Sequence, residues 1–145
     1  MARTPEITHK IMSAVKSKNT RPELALRRAL WSRGMRYKVN VKSLPGKPDI
    51  VFTRAKIVVF CDGDFWHGHN WAIRGQASME DELKQYTQYW RDKILGNMSR
   101  DREHTARLVS DGWIVLRIWE SDIKADVSKC ADTVETTYRS VILSK

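Results

Sequence analysis

Apolar residues fall along this chain in two rhythms. From Arg36 to Lys42, Tyr37, Val39 and Val41 alternate with basic residues, the period of a half-exposed strand. Asp49 to Phe52 and Lys56 to Cys61 read as two further strands. The second is fully apolar from Ile57 to Cys61 and is expected at the centre of a sheet. Trp113 to Trp119 reads as a buried strand. Helical spacing takes over elsewhere. Thr20-Arg21-Pro22-Glu23 is a capping box, and it opens a helix whose apolar side is Leu24, Leu26, Leu30 and Trp31, stopped by Gly34. A long helix is expected over Leu83 to Ser110, with Tyr86, Tyr89, Trp90, Ile94 and Leu108 facing inward and Asp111-Gly112 ending it. A final amphipathic helix runs from Ala125 to Val141 through Val127, Val134 and Tyr138. Leu44-Pro45-Gly46-Lys47-Pro48 is a turn, and residues 70–83 read as a loop. The order is helix, three strands, helix, strand, helix. It predicts an α/β sandwich with a mixed central sheet flanked by helices.

A length of 145 residues fits one domain. Residues 1–18 are polar and basic, with only Ile7, Ile11, Met12 and Val15 to form a core, so they read as an N-terminal arm beside a single domain over 19–145. The two cysteines, Cys61 and Cys130, are not spaced as a disulfide framework or a cysteine-rich zinc site. With no membrane-length apolar stretch and no signal-peptide core, a reducing, cytoplasmic setting is the expected one. The net charge of +9 is unevenly placed. Residues 1–48 hold twelve Lys and Arg against Glu6 and Glu23, whereas the rest of the chain lies within one charge of neutrality. Such asymmetry is the footprint of a nucleic-acid-binding face. A merely soluble basic surface, or an anionic-membrane binder, is the plainer alternative. No lipidation motif supports the membrane, so nucleic acid is the expected partner.

Candidate chemistry sits where the strands end. Asp49 opens one strand, Asp62 follows the next, and Phe65, Trp66, His67 and His69 come directly after. Acids at neighbouring strand ends are how proteins hold a divalent metal against a phosphodiester.

With Pro-Asp opening one strand and acids ending the next, the αβββαβ order resembles the PD-(D/E)-x-K nuclease superfamily. Within it the likeness is closer. Leu44-Pro-Gly-Lys-Pro-Asp49, Phe65-Trp66-His67-x-His69, Asn97-x-x-Arg100-Asp101, Gly112-Trp113-x-Val115-Leu116 and Trp119-Glu120 resemble the very short patch repair endonucleases, over about Met12 to Glu120. Those bacterial enzymes nick the strand 5′ of the T in a T:G mismatch left by deamination of 5-methylcytosine. The Pro-Gly-x-Pro-Asp and Phe-Trp-His blocks are specific together and weak apart.

The resemblance implies a restriction-endonuclease-like core, one or two Mg²⁺ ions, double-stranded DNA, mismatched, as the partner, and the bacterial cytoplasm, near the nucleoid, as the setting. Asp49 would hold the metal, with the main-chain carbonyl of Cys61 as a second donor. Asp62 replaces a histidine of the family; it reads either as a further metal ligand or as a solvated turn residue before Gly63. His67 matches the general-base or water-positioning histidine, work that suits an imidazole. Glu23 occupies a helix-borne acid of the active site, although a capping box explains it equally well. Asp101 resembles an acid near the metals, with Asn97 one turn earlier; an ordinary solvated helix face is the alternative. Phe65, Trp66 and Trp90 resemble aromatics that wedge into the DNA stack, against the alternative of core packing. Lys16, Lys18, Arg21, Lys47, Lys93 and Asn97 would contact the DNA.

One departure stands out. Where the family carries a structural zinc, this chain has Asp64, His69, Trp71 and Ser121, too few ligands for a closed site. No structural zinc is expected, and the loop would be held by packing. A Mg²⁺-dependent endonuclease nicking at T:G mismatches, acting as a monomer, is the leading reading. The alternatives are a restriction-type or defence nuclease without a mismatch requirement, and a basic DNA-binding module whose site has decayed.

Overall fold

A computed structural model describes residues 19–64, 69, 78–84 and 86–144. The expectations for residues 1–18, with Lys16 and Lys18, and for Phe65, Trp66, His67 and Trp71 lie outside them. The elements are α1 (Arg21–Ser32), β1 (Lys38–Val39), β2 (Ile50–Phe52), β3 (Ile57–Asp62), α2 (Met79–Leu83), α3 (Gln88–Ser110), β4 (Ile114–Trp119), α4 (Glu120–Ala125) and α5 (Val127–Leu143). One mixed sheet has the order β1-β2-β3-β4; the first three strands are antiparallel in succession and β4 runs parallel to β3. This is the α/β architecture with a mixed, helix-flanked sheet expected from the apolar pattern, and it is consistent with the restriction-endonuclease-like core that the resemblance implies.

The alternation of strand side chains divides the core. Ile50, Phe52, Ile57, Val59 and Cys61 pack against Leu26 and Leu30 of α1 and Ala131 and Val134 of α5. Val51, Val58 and Phe60 face the other way, toward Leu108 of α3. Strand β3 is buried along its whole length, as its continuous apolar run demands.

Several boundaries differ from expectation. Strand β1 is two residues long, because Asn40 adopts a left-handed backbone, with φ +49°, and ends the extended run. The expected loop before the long helix contains the short helix α2, and α3 starts only at Gln88, after Thr87 in extended conformation. A separate turn of helix, α4, precedes the last helix. Strand β4 is a half-buried edge with Ile114 exposed, not a buried strand. Trp31 and Tyr89, expected to face inward, are exposed.

Candidate active site

The hairpin of β2 and β3 brings the start of one strand beside the end of the other. Asp49 N–H donates to the Val59 carbonyl at 3.1 Å, continuing the ladder one residue beyond β2. The Asp49 carboxylate then accepts the Cys61 N–H at 2.6 Å. So Asp49 and the main chain of Cys61 are locked together by backbone geometry. The Pro45–Pro48 turn feeding Asp49 requires its glycine. Gly46 has φ +77°, and a Cβ there would lie 3.0 Å from His104 Nδ1 and 3.1 Å from a Phe60 ring carbon. Lys47, next along, also has positive φ and is exposed at the rim of the same cleft. That cleft encloses about 570 Å³, and Asp49, Asp62, Asn97, Asp101 and Arg117 line it.

Helix α1 delivers Glu23, which is only 2% exposed. Its carboxylate closes the capping box on the Thr20 N–H at 3.3 Å and accepts from Arg27 at 2.7 Å. It also hydrogen-bonds to Asp49, so it serves both as a cap and as a member of the site. Burial, then the negative charge of Glu23, push the Asp49 carboxyl up to about 8, against the opposing hydrogen bond from Cys61 N–H. Asp62 adds to the rise. Glu120, at the start of α4, is raised by burial too, though its hydrogen bond to Thr20 opposes this. The Cys61 thiol is pushed up by burial and by Asp49, and is not a thiolate donor.

Asp62 is not a solvated turn residue. It is the last residue of β3, 5% exposed, and both its oxygens accept from Arg117 Nη1, at 3.0 and 3.2 Å. Arg117 projects from the neighbouring residue of β4, since Phe60 pairs with Arg117 and Asp62 with Trp119. The same nitrogen lies 3.7 Å from the Asp101 carboxylate. Asp101 therefore belongs to the cleft, not to an ordinary solvated helix face. Asn97, one turn earlier, accepts from Arg100. Lys93 and Arg21 are exposed, and Lys93 lies over the Tyr89 ring, 5.7 Å from its centroid.

Trp90 does not present its ring to solvent. It is 5% exposed and packs with Leu83, Tyr86 and Ile94, so core packing wins over the expected DNA wedge. The exposed ring at the start of α3 is its neighbour Tyr89, 60% exposed.

The loop ends near the site are held by hydrogen bonds as well as packing. Asp64 accepts both from the Ser121 hydroxyl at 2.7 Å and from the Ser121 N–H at 3.0 Å. His69 N–H donates to the Asp64 carbonyl at 2.7 Å, and the His69 ring stacks on Trp119 at 4.2 Å and 8°. Among the described residues, no three or more His, Cys, Asp or Glu side chains converge as a metal cage.

Sequence reasoning missed Arg117, Asn40 and Arg27. Arg117 had a signal: a lone cation inside the apolar run Ile114–Trp119 must find a counter-ion. Asn40 lines the cleft, accepts from Arg27 and donates to Asn19 at 3.2 Å. These contacts are non-local, and no spacing announces them.

A family model described as DNA mismatch endonuclease Vsr matches residues 2–73. The chain is 44% identical over 136 residues to a type II nicking enzyme of Neisseria meningitidis serogroup C, covering 94% of this chain and 88% of that one. It is 42% identical over 127 residues to a type II nicking enzyme of Haemophilus parainfluenzae, covering 87% and 86%. To the DNA mismatch endonuclease Vsr of Escherichia coli (strain K12) it is 34% identical over 115 residues, covering 79% and 70%. Among the described residues, no helix is long and apolar enough to cross a membrane.

Proposed function

Because the chain belongs to the Vsr family of DNA mismatch endonucleases, we propose that this endodeoxyribonuclease is Mg²⁺-dependent and nicks duplex DNA at T:G mismatches. The observation that carries the metal reading is the Asp49 carboxyl, wedged beside Glu23 and held to Cys61 N–H in an open cleft. Carboxyls crowded this way raise one another's pKa, and a cation bound at Asp49 relieves that repulsion. The donors are hard oxygens, and Mg²⁺ characteristically uses one or two protein carboxylates while keeping water and phosphate oxygens as its other ligands. The residues present therefore fit that ion, with the Asp49 carboxylate and the Cys61 main-chain carbonyl as donors. When bound, Mg²⁺ would polarise the scissile phosphate and lower the pKa of the attacking water.

The chain's own groups do the rest. Glu23, fixed by Thr20 and Arg27, orients Asp49 through their hydrogen bond, and a cation bound at Asp49 takes the place of the proton on Asp49. Lys47 at the cleft rim, with Arg21 and Lys93, binds phosphates and sets the register of the duplex. His67 takes the proton of the attacking water, and Phe65 and Trp66 replace base stacking at the mismatch. The protein acts as a monomer on one strand.

A second reading keeps this chemistry and drops the mismatch requirement. Relatives that bear the name type II nicking enzyme favour it. Nicking of matched and T:G-mismatched duplexes with Mg²⁺, by the wild type and Asp49→Ala, separates the two.

A further inference from the structure

Resting on the metal-dependent reading above, we propose that Arg117 is a positioning residue that holds Asp62 out of the metal's coordination sphere. Asp49 and the Cys61 carbonyl are then left as the protein's metal donors. The proposal starts from how completely the guanidinium is engaged. Nη1 meets both Asp62 oxygens at 3.0 and 3.2 Å, and Nε donates to Thr105 Oγ1 at 2.8 Å. Nη2 donates to the Asp101 carbonyl at 3.3 Å, and the plane lies over Phe60, 4.0 Å from the ring centre. Strand β3 and helix α3 both contribute partners. A cation fixed on so many sides is a strut, not a swinging phosphate ligand.

The electrostatics follow. A guanidinium keeps its charge at any working pH, so the Asp62–Arg117 pair is neutral as a unit. A hard cation seeking Asp62 must first break a buried, charge-assisted pair, which is a large penalty. Among the described residues, the charges that act on Asp49 are the acids Glu23 and Asp62. Of the three carboxylates lining the cleft, Asp62 and Asp101 both face Arg117, and Asp49 is the one set among acids. Arg117 also joins Asp101 to Asp62, so it sets the distance between α3 and the end of β3. Without Arg117, two more negative groups would face the site, and the cleft would attract more metal in poorer geometry.

The test measures Mn²⁺ binding to the whole chain without DNA, by loss of the free-ion paramagnetic signal, beside nicking of a T:G duplex. Arg117→Met removes the guanidinium that neutralises Asp62 and binds Mn²⁺ about threefold tighter or more. The charge-neutral double variant Arg117→Met/Asp62→Asn keeps wild-type affinity within about threefold, since the pair it replaces carries no net charge. Its nicking falls about 10- to 100-fold, because the support around the site is lost. Loss of Mn²⁺ affinity by about tenfold or more in the double variant makes Asp62 a ligand and overturns the inference. Unchanged or weaker binding by folded Arg117→Met overturns it too. If Arg117→Met does not fold, the double variant decides alone. Absence of Mn²⁺ binding by the wild type defeats the metal reading itself, an outcome distinct from loss confined to the variants.

Discussion

Asp49→Asn should make the metal-free protein more stable, and more so as pH rises. The side chain is isosteric, its carbonyl oxygen still accepts the Cys61 N–H, and its amide can donate to Glu23 where the carboxyl now needs a proton. The wild-type carboxyl is raised from 3.8 to about 8 in the folded protein. A raised acid contributes fully to stability below its unfolded value, and that contribution is lost as pH climbs through the folded one. The window is therefore pH 4 to 8, with a plateau above. The full shift corresponds to roughly 5–6 kcal/mol at about 1.4 kcal/mol per unit. Water in the open cleft screens the charge, and about 2–3 kcal/mol should survive. For a chain of this size that is an increase of roughly 5–10 °C in Tm for the variant at pH 9, and close to none at pH 4.5. Mg²⁺ should narrow the gap by stabilising only the wild type. Thermal melts at the two pH values, with chelator and with Mg²⁺, read this directly. An Asp49→Asn protein that melts at or below the wild type at pH 9 without metal would refute the reasoning.

Other perturbations follow from the geometry. Trp90→Ala should cost about 3–5 kcal/mol of stability in denaturant melts, as for other buried aromatics. Tyr89→Ala should cost under about 0.5 kcal/mol, while weakening duplex binding in a titration at fixed salt. Gly46→Ala meets both a left-handed backbone and the His104 and Phe60 contacts, so it should lose about 1–3 kcal/mol and slow nicking. Ser121→Ala removes the hydroxyl partner of Asp64 and should lose about 1 kcal/mol by melting. After exhaustive chelation, Mg²⁺ alone should restore all nicking; a requirement for added zinc would contradict the account of that loop.

The parts of the fold that were legible are those where local chemistry and burial agree. The capping box at Thr20–Glu23 and the apolar run of β3 admit one interpretation each, and both occur. Strand β4 was less legible because an apolar run suits a central strand and also a parallel edge flanked by helices. Tyr89 and Trp90 were both expected to face inward, but adjacent residues at the start of a helix point in different directions; Trp90 is buried and Tyr89 is exposed. At the site, Asp49 was legible because proline and a strand frame it. The engagement of Asp62 was not, since its partner lies 55 residues away on β4 and only strand pairing brings them together.

The central claim is that a metal held by Asp49 directs nicking at a mismatch. It is tested most directly by incubating one labelled duplex, matched or carrying a single T:G pair, with Mg²⁺ and the wild type or Asp49→Ala. The account predicts a nick 5′ of the mismatched T by the wild type alone, and intact matched DNA throughout. Equal cleavage of both duplexes, or a nick that persists in Asp49→Ala, would contradict it.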